Sequence, residues 1–248
     1  MSLKAQSGHR THSDRDPKSK DPASNMPNFD LARHNMVESQ IRTNKVTEPR
    51  VIEALRTVPR HLFVPASKQS LAYIDEPLPI DTNRFLPSPM VAARLYQLAE
   101  VEPTDLVLVV GAASGYGAAV LGRLASAVVA LEENPELAAM ARNALEAANG
   151  EHVMGENVIV AEGPLPAGWR KQAPYDAIVL EGAAEAIPDE LLDQLAPEGR
   201  LVAVVREAGR PGRATLMRRT GNIIGASAAF DAMLPLLPGF ERAREFAF

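Results

Sequence analysis

Five stretches of the chain read as strands built on continuous apolar runs: 106–110, 127–131, 157–160, 176–180 and 200–205, the last three opening on Asn157, Asp176 and Arg200. Between them, 115–124, 135–148 and 188–195 carry apolar residues at helical spacing. Strands that are apolar on both faces, alternating with helices, predict a mostly parallel sheet covered on both sides, a Rossmann-like α/β architecture. Upstream, Met36, Ile41 and Val46, then Val51, Ile52, Leu55 and Val58, fall near a period of 3.6 and predict a helical cap. Thr47 is expected to cap the second of these helices, with Pro49 in its first turn. Asp75–Pro89 reads as a proline-punctuated loop, followed by a helix over 90–99. Downstream, ATLMRR and NIIGASAAF flank a Thr-Gly-Asn turn and predict a closing antiparallel hairpin. The apolar C-terminal run LPLLPGFERAREFAF is expected to pack on the core. Three regions follow: a tail over 1–28, a helical region with a loop over 29–99, and the α/β domain over 100–248.

Composition narrows the possibilities. The chain has 248 residues, 46% of them apolar, enough for one large core. A net charge of −5 gives no reason to expect nucleic acid or an anionic membrane as partner. The absence of cysteine excludes disulfides, thiolate nucleophiles and zinc–sulfur sites, and no metal site is expected. No apolar run is long enough to span a bilayer, and the start carries no signal-peptide core. A cytoplasmic protein, monomeric or weakly dimeric, is the expectation. Residues 1–28 are polar and predict disorder; the opening Met-Ser-Leu is tag-like, and Met26 reads as an alternative start.

The chemistry concentrates where the first parallel strand ends, in LVLVVGAASGY (106–116). Gly111, Ala113, Ser114 and Gly115 form a turn of small residues after a buried strand, which lets a nucleotide-like ligand approach the backbone. The next strand ends in Glu132 and Glu133, about 20 residues beyond the first glycine, placed to accept hydrogen bonds from ribose hydroxyls. The bland reading is that these acids only favour a helix N-terminus. A dinucleotide fingerprint puts glycine at three positions where this chain has Gly111, Ala113 and Tyr116, which argues against a nicotinamide cofactor. S-adenosylmethionine, with only a small zwitterionic tail to cradle, suits G-x-x-S-G-Y better.

With these residues in hand, the chain resembles the protein-L-isoaspartate (D-aspartate) O-methyltransferase family over nearly everything after Phe29. The resemblance rests on MVESQIRTNKVTEPRVIEALRTVPRHLFVP (36–65), LAYIDEPLPI (71–80), the Gly111–Tyr116 turn, VVALEENPELA (128–138), NVIVAEG (157–163), APYDAIVLEGAAEAIP (173–188) and LLDQLAPEGRLVAVV (191–205). It implies a class I methyltransferase fold, S-adenosylmethionine as donor, and esterification of the free carboxylate of isoaspartyl residues in a protein or peptide, allowing repair.

Four positions depart from the family pattern. Pro87 stands where a T-I-S-x-P segment places its serine, with Ser88 one residue later. Val109 replaces an acid two residues before the first glycine. Ala113 replaces glycine, a change that costs little if its φ is negative. Pro164 replaces an aspartate beside the adenine. Glu162 and Glu181 are the compensating candidates in the donor pocket, against a reading of both as solvated loop acids. Methylating an ionised carboxylate needs alignment more than acid–base help. Ser88 and Thr82, with backbone N–H groups of 81–89, are the candidate carboxylate holders. His34 and His61 read as packing residues, Tyr116 as packing under the turn, and Asp176 as lying at the opposite edge of the sheet. Trp169 is left open as a pocket border. Two functions remain: a carboxyl methyltransferase, or an inherited methyltransferase fold that serves as a binding module.

Overall fold

The computed structural model describes residues 28–150, 157–207 and 210–242. The expected tail therefore lies outside the described residues, except for Asn28, whose side chain accepts from the Leu31 N–H and caps the first helix. That helix, α1 (Phe29–Asn35), runs into a π-helical turn and a 3-10 turn before α2 (Pro49–Thr57). Glu48, not Thr47, caps α2. The N–H groups of Thr47 and Glu48 both donate to Gln97 Oε1, at 2.7 and 2.9 Å, so this corner is tied to the next long helix instead.

The loop over 75–89 contains a small antiparallel ribbon, β1 (Leu78–Asp81) and β2 (Arg84–Leu86), turned at Thr82–Asn83. Asn83 takes φ = 58°, a left-handed conformation that asparagine tolerates, so turn chemistry outweighs the prolines here. α3 (Pro89–Leu98) follows.

The α/β unit then runs β3 (Leu106–Val110), α4 (Tyr116–Gly122), β4 (Ala127–Glu132), α5 (Pro135–Gly150), β5 (Val158–Glu162), β6 (Tyr175–Ala184), α6 (Asp189–Leu192), β7 (Leu195–Val205), β8 (Arg213–Thr220) and β9 (Ile223–Asp231). α6 is shorter than the pattern predicts because β7 already begins at Leu195, where it pairs with Tyr175. The seven-stranded sheet has the order β5-β4-β3-β6-β7-β8-β9. β3 to β7 are parallel, and β8–β9 form the expected antiparallel hairpin.

Residues alternate across each parallel strand between two cores. Val107 and Val109 face the N-terminal helical region with α3, α4 and α5. Leu108 and Val110 face the thinner layer of Leu165, Leu191, Leu237 and Phe240. Successive connections leave β3 in opposite directions, so the switch point, and the crevice such sheets use for ligands, lies between β3 and β6.

β6 outlasts β3: Val110 pairs with Leu180, and Glu181–Ala184 continue beyond it. The C-terminal segment takes the vacated place. Ala183 N–H donates to Pro235 O at 2.8 Å, and Leu237 N–H donates to Ala183 O at 2.9 Å. Leu234, Leu237 and Phe240 are buried, so the described part of the C-terminal run packs on the core.

Candidate active site

The turn after β3 has the geometry the sequence predicts. Gly111 and Gly115 adopt φ of 75° and 90°, and Gly111 and Ala112 both donate to Leu131 O at 3.0 Å. Ala113 also lies at positive φ, 51°, so its methyl group is not cost-free. A carboxylate holds the strained residue: Ala113 N–H donates to Glu132 Oε2 at 2.7 Å.

Glu132 is wholly buried at the end of β4, and its carboxylate is fully engaged. Arg84, reaching over from β2, donates to Oε1 and Oε2 at 2.5 and 2.6 Å. Glu133 and Asn134 N–H groups add two bonds to Oε1 at 3.0 Å. With Ala113, five donors converge on a group with about four lone-pair sites. The acid expected to face a ribose is thus held by an internal cation.

Glu133 is exposed and its carboxyl is raised, chiefly by partial burial and then by Glu132 next to it. Glu162 is also exposed and pairs with Arg142 on α5 at 2.6 Å. Pro164 starts a 3-10 turn, and Trp169 packs over Gly163, where an added Cβ would lie 3.3 Å from the indole.

Glu181 behaves differently. It is buried at the switch point and accepts the Tyr96 hydroxyl through Oε1, while Oε2 has no hydrogen-bond partner. Burial pushes its carboxyl up to about 7. Glycine is required opposite it, since a Cβ on Gly117 would meet Glu181 Oε1 at 1.7 Å. Ser114 Oγ, Tyr116 Oη and Arg60 Nη1 are further buried polar atoms without hydrogen-bond partners, and Arg60 and Tyr116 interact electrostatically with Glu181. Burial raises the Tyr116 hydroxyl to about 12.

Arg60 is fully buried. Its guanidinium donates to Ala72 O and Pro87 O at 2.6 Å each, and its Cζ sits 4.7 Å from the Tyr116 ring centroid. It thereby fixes the loop that ends in Ser88. Ser88 is buried as the N-cap residue of α3, whereas Thr82 is exposed at the ribbon tip with its N–H taken by Asp81. The two candidates are not brought together, because β2 separates them.

His61 stacks on Phe29 at 4.0 Å and meets Tyr73 through Nδ1, in the N-terminal region. Asp176 accepts from the Leu106 N–H, at the start of β3 rather than its carboxyl end. Val109 is one more wholly buried strand residue.

Sequence reasoning missed Arg84, Arg60, Tyr96 and Leu237. Each sits in a segment whose local pattern explains it as loop, helix or core, so only the tertiary contacts expose a role. Leu237 lies directly on the turn: a Cβ on Gly111 would be 2.7 Å from its Cδ2, and one on Gly182 2.5 Å from its Cγ. All of Gly111–Gly115 is buried. The remaining space between Arg84, Pro87, Glu181 and Leu234–Leu237 is a cavity of about 10 Å³, room for about one water. In this arrangement the crevice does not fit S-adenosylmethionine, since Arg84 saturates the ribose acceptor and Leu237 covers the turn.

Comparison with known proteins settles the lineage. The profile of the protein-L-isoaspartate(D-aspartate) O-methyltransferase family matches residues 32–230. A protein-L-isoaspartate O-methyltransferase of Methanoculleus marisnigri is 39% identical over 208 residues, 84% of this chain and 92% of the relative. One from Trichlorobacter lovleyi is 40% identical over 193 residues, 78% of this chain and 85% of the relative. A solved protein-L-isoaspartate O-methyltransferase shares the fold with a TM-score of 0.73 at 21% identity, over 84% of this chain and 66% of that one. So does a Plasmodium falciparum protein assigned to the same enzymes and solved with S-adenosyl-L-homocysteine, with a TM-score of 0.68 at 19% identity, over 86% and 99% of the two chains. The profile match, the two relatives and the class I methyltransferase sheet agree: the chain belongs to the protein-L-isoaspartate(D-aspartate) O-methyltransferase family.

Proposed function

We propose that this chain transfers a methyl group from S-adenosylmethionine to the free carboxylate of isoaspartyl residues in damaged proteins or peptides. The observation that carries this reading is a family match running unbroken from α1 to β9, through both the N-terminal cap and the crevice. Within it, the Gly111–Gly115 turn and Glu132 keep the positions that a nucleoside-bearing donor uses at a switch point. The acceptor is ionised at neutral pH, so the protein's part is positioning and exclusion of water. Arg60 holds the Pro87 carbonyl beside Ser88, and the Ser88 hydroxyl is the proposed carboxylate holder. Thr82 has a place in this scheme only if the ribbon folds over an incoming peptide. The chain acts as a monomer or weak dimer in the cytoplasm; among the described residues no helix is long and apolar enough to cross a membrane.

The test is incubation with methyl-labelled donor and a peptide bearing either isoaspartate or aspartate. Base-labile label on the isoaspartyl peptide alone is the expected result. Folded protein that labels neither peptide overturns the reading in favour of a non-catalytic module, the alternative that the filled crevice favours.

A further inference from the structure

Arg84 and a ribose ask the same thing of Glu132. A guanidinium presents two parallel N–H donors to a carboxylate, and a vicinal diol presents two O–H donors in a similar fork. Glu132 also serves the N–H groups of Ala113, Glu133 and Asn134, so a single fork already brings five donors to about four lone-pair sites and a second fork cannot be accommodated. The two are therefore mutually exclusive. We propose that Arg84 determines donor affinity in this chain, its guanidinium acting as an internal competitor for the Glu132 carboxylate, released together with the C-terminal segment that covers the turn.

Three observations support this coupling. First, Arg84 and Leu234–Leu237 line the same small cavity, so displacement of either opens space beside the other. Second, the cavity of about 10 Å³ compares with roughly 300–1,000 Å³ for small-molecule sites, so admission of a donor requires movement of these walls. Third, the elements that carry them are the ones suited to move. Arg84 sits on an isolated two-stranded ribbon of four and three residues, marginal by itself. The C-terminal segment has no strand of its own over Leu234–Leu237 and meets β6 only through the isolated Ala183–Leu236 bridge, with one further bond from Glu185 N–H to Phe240 O. The turn and β4, in contrast, belong to the rigid sheet.

This inference rests on the donor assignment made above, and the experiment separates the two. The whole chain is titrated calorimetrically with S-adenosylhomocysteine, with the fluorescence of Trp169, the sole tryptophan, read in parallel beside Gly163. Arg84→Gln keeps a hydrogen-bond donor toward Glu132 and removes the charged fork. It should bind roughly tenfold more tightly than the natural chain and gain more thermal stability on ligand addition. Leu237→Ala, which leaves the ion pair intact, should tighten binding several-fold and decides the matter if Arg84→Gln does not fold. Natural chain that binds at micromolar ligand, with neither variant tighter, overturns the gate and leaves the donor assignment standing. Folded proteins that all fail to bind at millimolar ligand overturn the donor assignment and the gate with it.

Discussion

Tyr96 on α3 donates its hydroxyl to Glu181 at the end of β6, joining the helical cap to the sheet at the switch point. Both side chains are buried, and Glu181 keeps one oxygen without a partner. A carboxyl in such a place resists ionisation, which makes it a pH-dependent element of stability.

The pH dependence has a definite sign. Burial raises Glu181 from 4.5 in the unfolded chain to about 7 in the folded one. Between those values the native state holds a proton that the unfolded state has lost, so stability falls as pH rises through the window and levels off above pH 7. The full difference corresponds to roughly 3 kcal/mol. Glu181→Gln should flatten this slope, leaving stability near pH 4.5 little changed and raising it at pH 8. Urea unfolding at a series of pH values measures it; a natural chain with no slope over this range would refute the assignment.

Gly117 should not accept alanine. The added methyl would meet Glu181 Oε1 at 1.7 Å and Tyr96 Oη at 2.5 Å, so the buried hydrogen bond must break or α4 must shift. Overpacking of this kind costs about 1–3 kcal/mol, and an orphaned carboxyl adds to it. Gly221, at a turn with nothing within 4 Å of an added Cβ but with φ of 60°, is the control for backbone strain without crowding. Thermal melts of the two alanine variants should place Gly117→Ala well below Gly221→Ala.

Arg60→Lys should loosen the loop that presents Ser88. One ammonium cannot reproduce the two-point hold on Ala72 O and Pro87 O, nor the stacking on Tyr116. A lost buried hydrogen bond costs about 1–3 kcal/mol. Faster proteolysis between residues 72 and 88, with hydrogen exchange elsewhere unchanged, is the expected signature.

At the opposite end of the sheet, Arg200 pairs with buried Asp105 and also donates to the carbonyls of Ala99, Glu100 and Asp176. Removing one partner of a buried pair costs roughly 3–5 kcal/mol. Arg200→Ala should therefore lower the melting temperature markedly while leaving ligand affinity of the folded fraction unchanged, since it acts far from the crevice end of β3. A change in affinity would show that the two ends of the sheet are coupled.

Much of the architecture was legible in the residues themselves. LVLVV, VVALE and YDAIVLE can satisfy their apolar side chains only inside a sheet covered on both faces, and Gly111 and Gly115 mark a turn that needs positive φ. The hairpin was equally plain from Thr220-Gly221-Asn222 between two strand-like runs. These features depend on neighbours within a few residues, where periodicity and turn chemistry act directly.

What surrounds the turn was decided only by the tertiary fold. Glu132 was recognisable as the acid at the end of the second strand, but its partner, Arg84, lies 48 residues earlier on a ribbon hidden in a proline-rich loop. Leu237 looks like ordinary core in the sequence, yet β6 outruns β3 and leaves a berth that this leucine fills over Gly111. Ala113, harmless if its φ were negative, is held at positive φ by the Glu132 carboxylate. Local pattern determines which groups must be buried and where the chain must turn. Which long-range donor reaches a buried carboxylate first is set by the packing of distant segments, and no residue spacing records it.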